Sequence, residues 1–460
     1  MNEIRILSPN GAIGYGFPES SIAEGMKRDP HVIAVDAGST DPGPHYLGSG
    51  DVALSWESQK HDLRILMQAR GQTGIPLIVG SAGLSGSKAG VDKTVEIVRE
   101  LAKELAQNIK IARIYADLDK ADLKRRLNEG RVKEFDHPQS LTEQTIDRST
   151  NIVAQMGVEP VIEALKADAD VIICGRAYDP AVFAAFPIMH GFDPALALHA
   201  GKILECGAYA CEPSSAADAM FATIRKDHFL LDPPNPEFRC TPASVAAHTF
   251  YEKERPDKLS LPGGTLSLRE AKFEAVSDRV VRVSGSTFSA SDQYTVKAEG
   301  AAPVGYRSLF IAGARDPNFI ANIDEITAVS RERIQSRAGY AADDYSLIIR
   351  VYGRDGVMGA AEPTPVIASH EIGIVGEVVA ETQDIAHTIC AFVHGVMLHY
   401  DYPGRKTTAG NLAFPYSPSD FDLGAVYEFS IYHLIEVDDP CVLFPISYEI
   451  ADAADERNVE

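Results

Sequence analysis

Paired cysteines and positive charge are both scarce in this 460-residue sequence. The six cysteines form neither a CxxC pair nor a zinc-knuckle spacing, which argues against a disulfide framework or zinc module and indicates reduced thiols. The 43 Lys and Arg residues are outnumbered by 65 Asp and Glu residues, which gives a net charge of −22. Such an acidic chain is a poor match for phosphate backbones, so we expect neither nucleic acid nor a membrane surface as a partner.

Long apolar runs are also lacking. None approaches the roughly 20 residues needed to cross a bilayer, and the opening MNEIRILSPNG has no apolar core of the secretory type. We therefore expect a cytoplasmic protein. The remaining composition, 45% apolar and 23% charged, is typical of a globular chain, and the length predicts two domains.

The first half of the chain alternates short apolar runs with helical stretches. The runs are rich in β-branched residues and lie at 4–8, 31–36, 75–80, 109–116 and 170–175. Nearly all-apolar strands separated by helices are typical of a parallel sheet that is covered on both faces. This pattern predicts an α/β domain with a doubly wound parallel sheet over residues 1–235.

The second half, residues 236–460, has a different order of elements. Its strand-like segments lie at 306–313, 345–353, 371–381 and 426–437, with helices near 321–338 and at 384–400. The order β-α-β-β-α-β predicts an α+β ferredoxin-like domain. The Pro-rich segment 230–238 is then the linker, and the acidic C-terminal tail is expected to fray. This domain is a candidate for homo-oligomer formation and for closing the active site.

Small and polar residues follow each of the five predicted parallel strands. They lie in the loops PNGAIGYG (9–16), AGSTDPGPHYLGSG (37–50), SAGLSGSK (81–88), DLDK (117–120) and RAYDP (176–180). Ligands of open parallel sheets bind outside the carboxyl ends of the strands. The one-sided concentration of such loops therefore predicts an active-site rim.

The loop after the second strand is the richest of these. Asp36 closes the strand and is predicted to face the cleft, where Asp36 and Asp41 are candidate acid and base groups. The residues between them are predicted to wrap a ligand: Gly38, Ser39 and Thr40.

Two other glycine-rich loops have two interpretations each. GAIGYG (11–16) has the order GxxGxG rather than the dinucleotide-binding GxGxxG, so it is either a tight turn or an anion or nucleotide site. GSAGLSGSK (80–88) resembles a phosphate-binding loop without matching its spacing. Its backbone N–H groups and following helix favour a carboxylate or phosphate. The substrate-binding residues predicted here are Ser81, Gly83, Ser85, Gly86 and Lys88.

The segment GRAYDP (175–180) carries the most specific chemistry. Arg176 offers a bidentate fork for a substrate carboxylate, and Asp179 is either a base or the cap of a following helix. Glu205, in KILECGA, is either a general acid/base or part of a helix end. In the second half, Asn411 in TAGNLAFPYSPSD is a candidate for closing over the rim.

No cofactor is identified by a motif. A divalent metal is left open, since acidic and histidine side chains could supply ligands, but no HxH or HExxH spacing joins them. We therefore assign no metal ligands; the side chains considered are Asp36, Asp41, His45, His61, His137 and Asp179. A nucleotide cofactor is the weaker alternative.

Five segments together resemble one known family. They are ILSPNGAIGYGFPESS, VIAVDAGSTDPGPHYLGSG, ADVIICGRAYDPA, KILECGA and AGNLAFPYSPSD, and they resemble the acyclic terpene utilisation (AtuA-type) family. The resemblance spans most of the chain. It implies catabolism of branched or unusual carboxylic acids and acyl-CoA thioesters, with a small partner subunit or an equivalent extra domain. It names no reaction and no catalytic residue.

The function that these features favour is a catabolic lyase, a hydratase or dehydratase acting on a small or branched carboxylic acid or its CoA thioester. Such a reaction needs one group that activates water and another that protonates carbon. The absence of a GxSxG motif argues against an ordinary esterase. Three alternatives remain open: a hydrolase with an activated, even metal-bound, water; a nucleotide-dependent enzyme; and a non-catalytic subunit of a catabolic complex.

Overall fold

The computed structural model describes residues 1–135, 140–251, 253, 255–364 and 366–452, without the side chains of 337 and 338. His137 and the acidic C-terminal tail beyond 452 lie outside these residues. The protein is a mixed α/β molecule with several sheets.

In chain order the strands are β1 (Ile4–Ser8), β2 (Val32–Asp36), β3 (Leu77–Gly80), β4 (Ile109–Ile114), β5 (Val132–Glu134), β6 (Asn151–Ala154), β7 (Val171–Cys174), β8 (Cys211–Glu212), β9 (Met220–Ile224), β10 (Phe229–Leu231), β11 (Arg239–Cys240), β12 (Lys258–Leu261), β13 (Gly264–Ser267), β14 (Lys272–Ala275), β15 (Val281–Ser284), β16 (Thr287–Ala290), β17 (Tyr294–Ala314), β18 (Tyr345–Tyr352), β19 (Ile372–Ala380), β20 (Asp420–Val437) and β21 (Ile446–Ala451).

The α-helices are α1 (Glu19–Met26), α2 (Pro44–Ser49), α3 (Trp56–Gly71), α4 (Lys88–Glu104), α5 (Lys120–Asn128), α6 (Glu143–Arg148), α7 (Glu159–Lys166), α8 (Ala181–Met189), α9 (Pro194–Leu204), α10 (Pro242–Phe250), α11 (Pro317–Ala321), α12 (Ile323–Arg333) and α13 (Gln383–His399).

The chain divides into two compact units. The first comprises Met1–Ala302 and Phe429–Glu460, and the second comprises Pro303–Glu428. The predicted domains 1–235 and 236–460 have a different boundary. The long strands β17 and β20 each contribute residues to both units.

The first unit is built on one large sheet with the strand order β14-β15-β10-β9-β1-β2-β3-β7-β4-β21. The five predicted strands are all present, and β1, β2, β3, β7 and β4 pair in parallel in that order. Antiparallel strands extend this parallel core on both sides.

Alternation along the parallel strands buries both faces of the sheet. In β2, Val32 and Ala34 belong to one apolar cluster, whereas Ile33 and Val35 belong to another. Residues of α7, α8 and α9 pack in the first cluster, and residues of α3 and α4 pack in the second. Because β-branched residues fit a pleated surface and both faces are covered, the central strands β2, β3 and β7 contain no polar side chain before their last residue.

The second unit has its own core. β19 pairs antiparallel with β18 and with the second half of β17, in registers that place Tyr345 and Tyr306 opposite Ala380. α12 and α13 contact one another, and α13 contacts β19. Their apolar faces enclose side chains such as Phe310, Ile374 and Ile389.

Membrane-crossing segments were sought along the described residues. No helix there combines the length and the apolar composition that crossing a bilayer requires.

Candidate functional site

A cavity of about 300 Å³ lies at the carboxyl ends of the parallel strands in the first unit. The register places Asp36 at the end of β2 opposite Gly80 at the end of β3. Loops after β1, β2, β3 and β7, together with the end of α9, contribute its walls. The polar lining includes Asp36, Ser39, Asp41, Asp179 and Glu205. The rim that the sequence predicts is therefore a concave site.

Aromatic and apolar side chains complete the cavity. Tyr15, Tyr209 and Tyr251 line it together with Leu54 and Leu84. Tyr15 and Tyr209 are about half exposed. A cavity with such walls and a few convergent polar groups is the usual form of a small-molecule site.

Asp36 is the most unusual group in this cavity. The residue is 6% exposed, and its Oδ2 accepts a hydrogen bond from the backbone N–H of Gly38 at 3.3 Å. Its buried Oδ1 has no hydrogen-bond partner among the described atoms. Burial raises the pKa of Asp36 well above its ordinary value, and the charge of Asp179 raises it further. The site therefore favours the protonated carboxyl.

Arg176 forms hydrogen bonds with the carboxylates of both Glu299 and Asp179. Its Nε donates to Glu299 Oε2 at 2.8 Å, and its Nη1 donates to Asp179 Oδ1 at 2.9 Å. Glu299 is fully buried and also pairs with Lys297 at 2.6 Å. Burial alone would raise the pKa of Glu299, but the charges of Arg176 and Lys297 outweigh burial and lower the pKa to about 2. This network holds the guanidinium in one orientation.

The ion pair with Arg176 gives Asp179 different electrostatic surroundings from those of Asp36. Burial raises the pKa of Asp179, while the charge of Arg176 and its hydrogen bond oppose that rise. The Asp179 side chain is 27% exposed and faces the cavity. Of the two carboxyl groups, Asp179 is the one that forms a direct ion pair with Arg176, which favours its ionised form.

A second charged cluster lies at the end of α9. Lys202 Nζ donates to Glu205 Oε1 at 2.5 Å, and both residues are buried. Nearby Lys253 donates to the carbonyl of Thr249. Burial lowers the pKa of Lys253 to about 8, and the charge of Lys202 acts in the same direction. Two cations therefore accompany Glu205 beside the acidic lining.

Close backbone contacts account for two glycines of the rim. A Cβ on Gly38 would lie 2.3 Å from Leu84 Cα, and one on Gly86 would lie 2.2 Å from the Arg176 backbone nitrogen. Both distances are far below van der Waals contact. The loops after β2 and β3, and the segment after β7, can pack this tightly because these residues have no side chain.

The GAIGYG loop already encloses an anion of the protein itself. Asp62 Oδ2 accepts hydrogen bonds from the backbone N–H groups of Gly14 and Gly16, at 2.7 and 3.2 Å, and from the Asn10 amide at 3.2 Å. These donors are the ones that a phosphate would need in a nucleotide site. Their use by Asp62 favours the tight-turn interpretation of the loop.

The sequence of the chain matches one known protein family. The family model described as acyclic terpene utilisation family protein AtuA matches residues 53–411. The chain belongs to this family. Membership implies a role in acyclic terpene catabolism. Searches among curated proteins and among solved structures found no significant match.

The candidate site of this AtuA family protein includes residues inside and outside the matched range. Arg176, Asp179 and Glu205 lie within it, whereas the loop Asp36–Asp41 precedes it. Of the residues predicted from sequence, those that line the cavity are Asp36, Gly38, Ser39, Asp41, Asp179 and Glu205.

Three further predicted residues lie behind the cavity wall. Arg176 is 3% exposed and is neutralised by two carboxylates, rather than facing the cavity as a fork for substrate. Ser81 Oγ accepts from Arg176 Nη1 at 3.2 Å, and Thr40 Oγ1 donates to Glu299 Oε1 at 3.3 Å. These residues support the lining and do not form it.

The remaining predicted residues lie elsewhere. Lys88 pairs with Asp92 at 2.9 Å and lies 4.1 Å from the ring of Tyr115. Asn411 belongs to the second unit, where its amide donates to the carbonyls of Met397 and Tyr400. Among the described residues, the cavity lining does not include Gly83, Ser85, Gly86 or Lys88.

No metal centre is evident in the parts of the chain that the structure describes. Within them, no group of three or more His, Cys, Asp or Glu side chains is arranged to hold a metal ion. His137, considered as a ligand from sequence, lies outside the described residues.

Sequence reasoning missed Lys297 and Glu299. They lie on β17, far along the chain from the other site residues, yet Glu299 determines the position of Arg176. A signal was present: VKAEGAA places two opposite charges at alternate positions within an otherwise apolar strand. Charges directed to the buried face of a strand need partners, and that requirement could have marked them.

Proposed function

We propose that this protein is a catabolic lyase, a hydratase or dehydratase that acts on a branched acyl-CoA thioester derived from an acyclic terpene. The observation that carries the proposal is the pair Asp36 and Asp179. Both line one cavity; Asp36 has an unpartnered, buried Oδ1, and Asp179 is held by Arg176. Two carboxyl groups whose environments differ in this way supply an acid and a base at the same pH.

The reaction assigned to this pair is the addition of water to a carbon–carbon double bond conjugated with the thioester carbonyl. The Asp179 carboxylate accepts a proton from water, and the water oxygen forms a bond to the β carbon. The Asp36 carboxyl gives its proton to the α carbon. Proton exchange with solvent then restores the starting forms, and the reverse sequence is dehydration.

The charge of the cavity favours the thioester over a free carboxylic acid. Asp36, Asp41, Asp179 and Glu205 all line the cavity, and the positive charge of Arg176 is already paired with Glu299 and Asp179. Arg176, Lys202 and Lys253 are not among the described residues that line the cavity, so a substrate carboxylate would face carboxyl groups in a wall without a cation. A neutral thioester carbonyl carries no such penalty.

The test is an assay with branched enoyl-CoA and the corresponding 3-hydroxyacyl-CoA. Hydration abolishes the ultraviolet absorbance of the conjugated thioester and adds the mass of one water. We expect turnover by the wild-type protein, and a loss of about a hundredfold or more in Asp36→Asn and Asp179→Asn. The exposed Asp51→Asn is the matched control. Release of free CoA thiol would indicate a hydrolase instead.

A nucleotide-dependent reaction is tested in the same preparation. Because Asp62 occupies the amide donors of the GAIGYG loop, we expect no thermal stabilisation by NAD, NADP or ATP. Clear stabilisation by one of them would contradict this expectation and favour the nucleotide alternative. Absence of turnover by the wild-type protein would favour a non-catalytic subunit. Full activity in both carboxyl variants would show that Asp36 and Asp179 are not the catalytic pair.

A further inference from the structure

A second cavity, of about 310 Å³, lies in the first unit. Its walls come from the loop after β6, the β12–β13 turn, the start of β17, and helices α8 and α9. Among described residues it shares no lining residue with the cavity around Asp36. Tyr178 lines the second cavity, while the next residue, Asp179, lines the first.

The walls of this second cavity are mainly apolar. Leu198 and Ala181 are buried, and Ile188, Leu261 and Phe288 are partly buried beside them. At roughly 30 Å³ for each water-sized group, the space accommodates about ten non-hydrogen groups. That size is at the lower end of small-molecule pockets and suits an aliphatic chain.

One polar pair interrupts the apolar wall. The Tyr294 hydroxyl donates to Glu159 Oε2 at 2.6 Å, and both residues line the cavity. Gly157 lies against this pair, because a Cβ there would be 2.2 Å from the Tyr294 oxygen. Since the Tyr294 proton is committed to Glu159, the phenol oxygen is left to accept a hydrogen bond.

This chemistry selects the end group of a ligand. A ligand hydroxyl can donate to the Tyr294 oxygen, whereas a carboxylate cannot donate and would meet the acidic Glu159. Burial raises the pKa of Glu159 because an apolar wall disfavours a charged carboxylate, and the same wall would disfavour the carboxylate of a ligand. An uncharged alcohol satisfies the pair at no electrostatic cost.

We propose that this second cavity is a binding site for a neutral aliphatic alcohol, with its hydroxyl at Tyr294 and Glu159 and its chain along α8 and α9. The site is additional to the lyase site proposed above and does not depend on that reaction. It gives the protein a place to bind an uncharged aliphatic molecule as well as a thioester.

The position of Ala290 allows the cavity to be closed without disturbing the core. Ala290 ends β16, is exposed and lines the cavity; Ser289 is exposed on the same strand and is not among the lining residues described. Successive side chains of a strand point to opposite faces. Ala290→Trp therefore narrows the cavity, and Ser289→Trp is its matched control.

The test is calorimetric titration of the full-length protein with 3,7-dimethyloctan-1-ol and with the carboxylate of the same chain. We expect the alcohol to bind, the carboxylate to bind at least about tenfold more weakly, and Ala290→Trp to weaken alcohol binding by about tenfold or more. Ser289→Trp should bind like the wild type. Tyr294→Phe removes the accepting oxygen and should weaken binding about threefold to tenfold.

Three results would overturn the proposal. They are failure of the alcohol to bind, undiminished binding in folded Ala290→Trp, and carboxylate binding as tight as alcohol binding. Circular dichroism of each variant establishes that it is folded. Because none of these measurements uses enoyl-CoA, they succeed or fail independently of the lyase assay.

Discussion

Arg176 Nε donates a 2.8 Å hydrogen bond to Glu299 Oε2, joining two residues that are 123 positions apart in the chain. Both side chains are almost completely buried, at 3% and 0% exposed. Removing one partner of a buried pair leaves an uncompensated charge, which is far more costly than losing an exposed pair. We predict that Glu299→Gln lowers the free energy of unfolding by roughly 3 kcal/mol.

Urea unfolding of wild type and variant measures this effect. The matched control is Glu104→Gln, which removes an exposed partner of Arg64 and should change stability little. Equal effects of the two substitutions would show that the buried pair has no special role. A larger effect only for Glu299→Gln supports its function in positioning Arg176.

Asp36→Asn is predicted to change stability and activity in opposite directions. Burial and Asp179 raise the pKa of Asp36, so at neutral pH the folded state holds a proton that the unfolded chain releases, and this difference lowers stability. A neutral amide avoids this cost, and we expect a higher melting temperature at pH 7 with loss of lyase activity. Calorimetry and the enoyl-CoA assay measure the two effects. A variant that is less stable at pH 7 and still active would contradict both expectations.

His199 makes stability depend on pH below neutrality. Its ring lies between Ser286 Oγ at 2.6 Å and Thr249 Oγ1 at 3.2 Å, and it is fully buried. Burial lowers the pKa of His199 from 6.5 to about 3, with the charge of Lys253 acting in the same direction. Between these values the unfolded chain binds a proton that the folded chain does not. Stability should therefore fall as the pH drops from 6.5 towards 3, by up to about 1.4 kcal/mol for each pH unit.

Two variants isolate this contribution. His199→Gln should reduce the slope of unfolding free energy against pH between pH 6.5 and 4.5. Ser286→Ala removes a hydrogen bond but keeps the imidazole, so it should lower stability while retaining the slope. Unfolding curves at several pH values provide the comparison. An unchanged slope in His199→Gln would assign the acid sensitivity to other groups.

The parallel strands could be predicted because their information is local. β2 and β7 are runs of β-branched and apolar residues, and burial on both faces requires that composition without regard to distant residues. The position of Asp36 followed from the same reasoning, since a polar residue that closes such a strand lies at its carboxyl end. That much of the site was within reach of the sequence.

The ion-pair partners of Arg176 and Lys88 were not predicted, for two different reasons. Arg176 was expected to bind a substrate carboxylate, but its guanidinium is paired with Glu299 on β17 and with Asp179. Lys88 was expected at an anion, yet Asp92, four residues later on the same helix, pairs with it. The first case is a long-range contact with no local signal, whereas the i,i+4 spacing of the second was visible in the sequence.

The boundary between the two units was also not predicted, because it is defined by long-range contacts. The Pro-rich segment 230–238 looked like a linker, but Arg279 donates to the carbonyls of Pro233 and Asn235 and ties it to the first unit. The compact units separate within β17 instead, at Ala302–Pro303. A strand that serves two cores has no change of composition to mark the place.

The rim is predicted to be sensitive to a single methyl group at Gly38. An alanine Cβ would lie 2.3 Å from the backbone of Leu84, which is itself part of the cavity lining, so one of the two loops must shift. We expect Gly38→Ala to lower stability by roughly 1–3 kcal/mol, as overpacking does, and to reduce lyase activity because Asp36 and Ser39 move with the loop.

The matched control is Gly395→Ala in α13, where a Cβ meets no atom within 4 Å. In a helix interior that change should raise stability by about 0.5–1 kcal/mol. Thermal unfolding and the enoyl-CoA assay of both variants give the comparison, and Gly38→Ala with unchanged stability and activity would show that the contact between the two loops is not required.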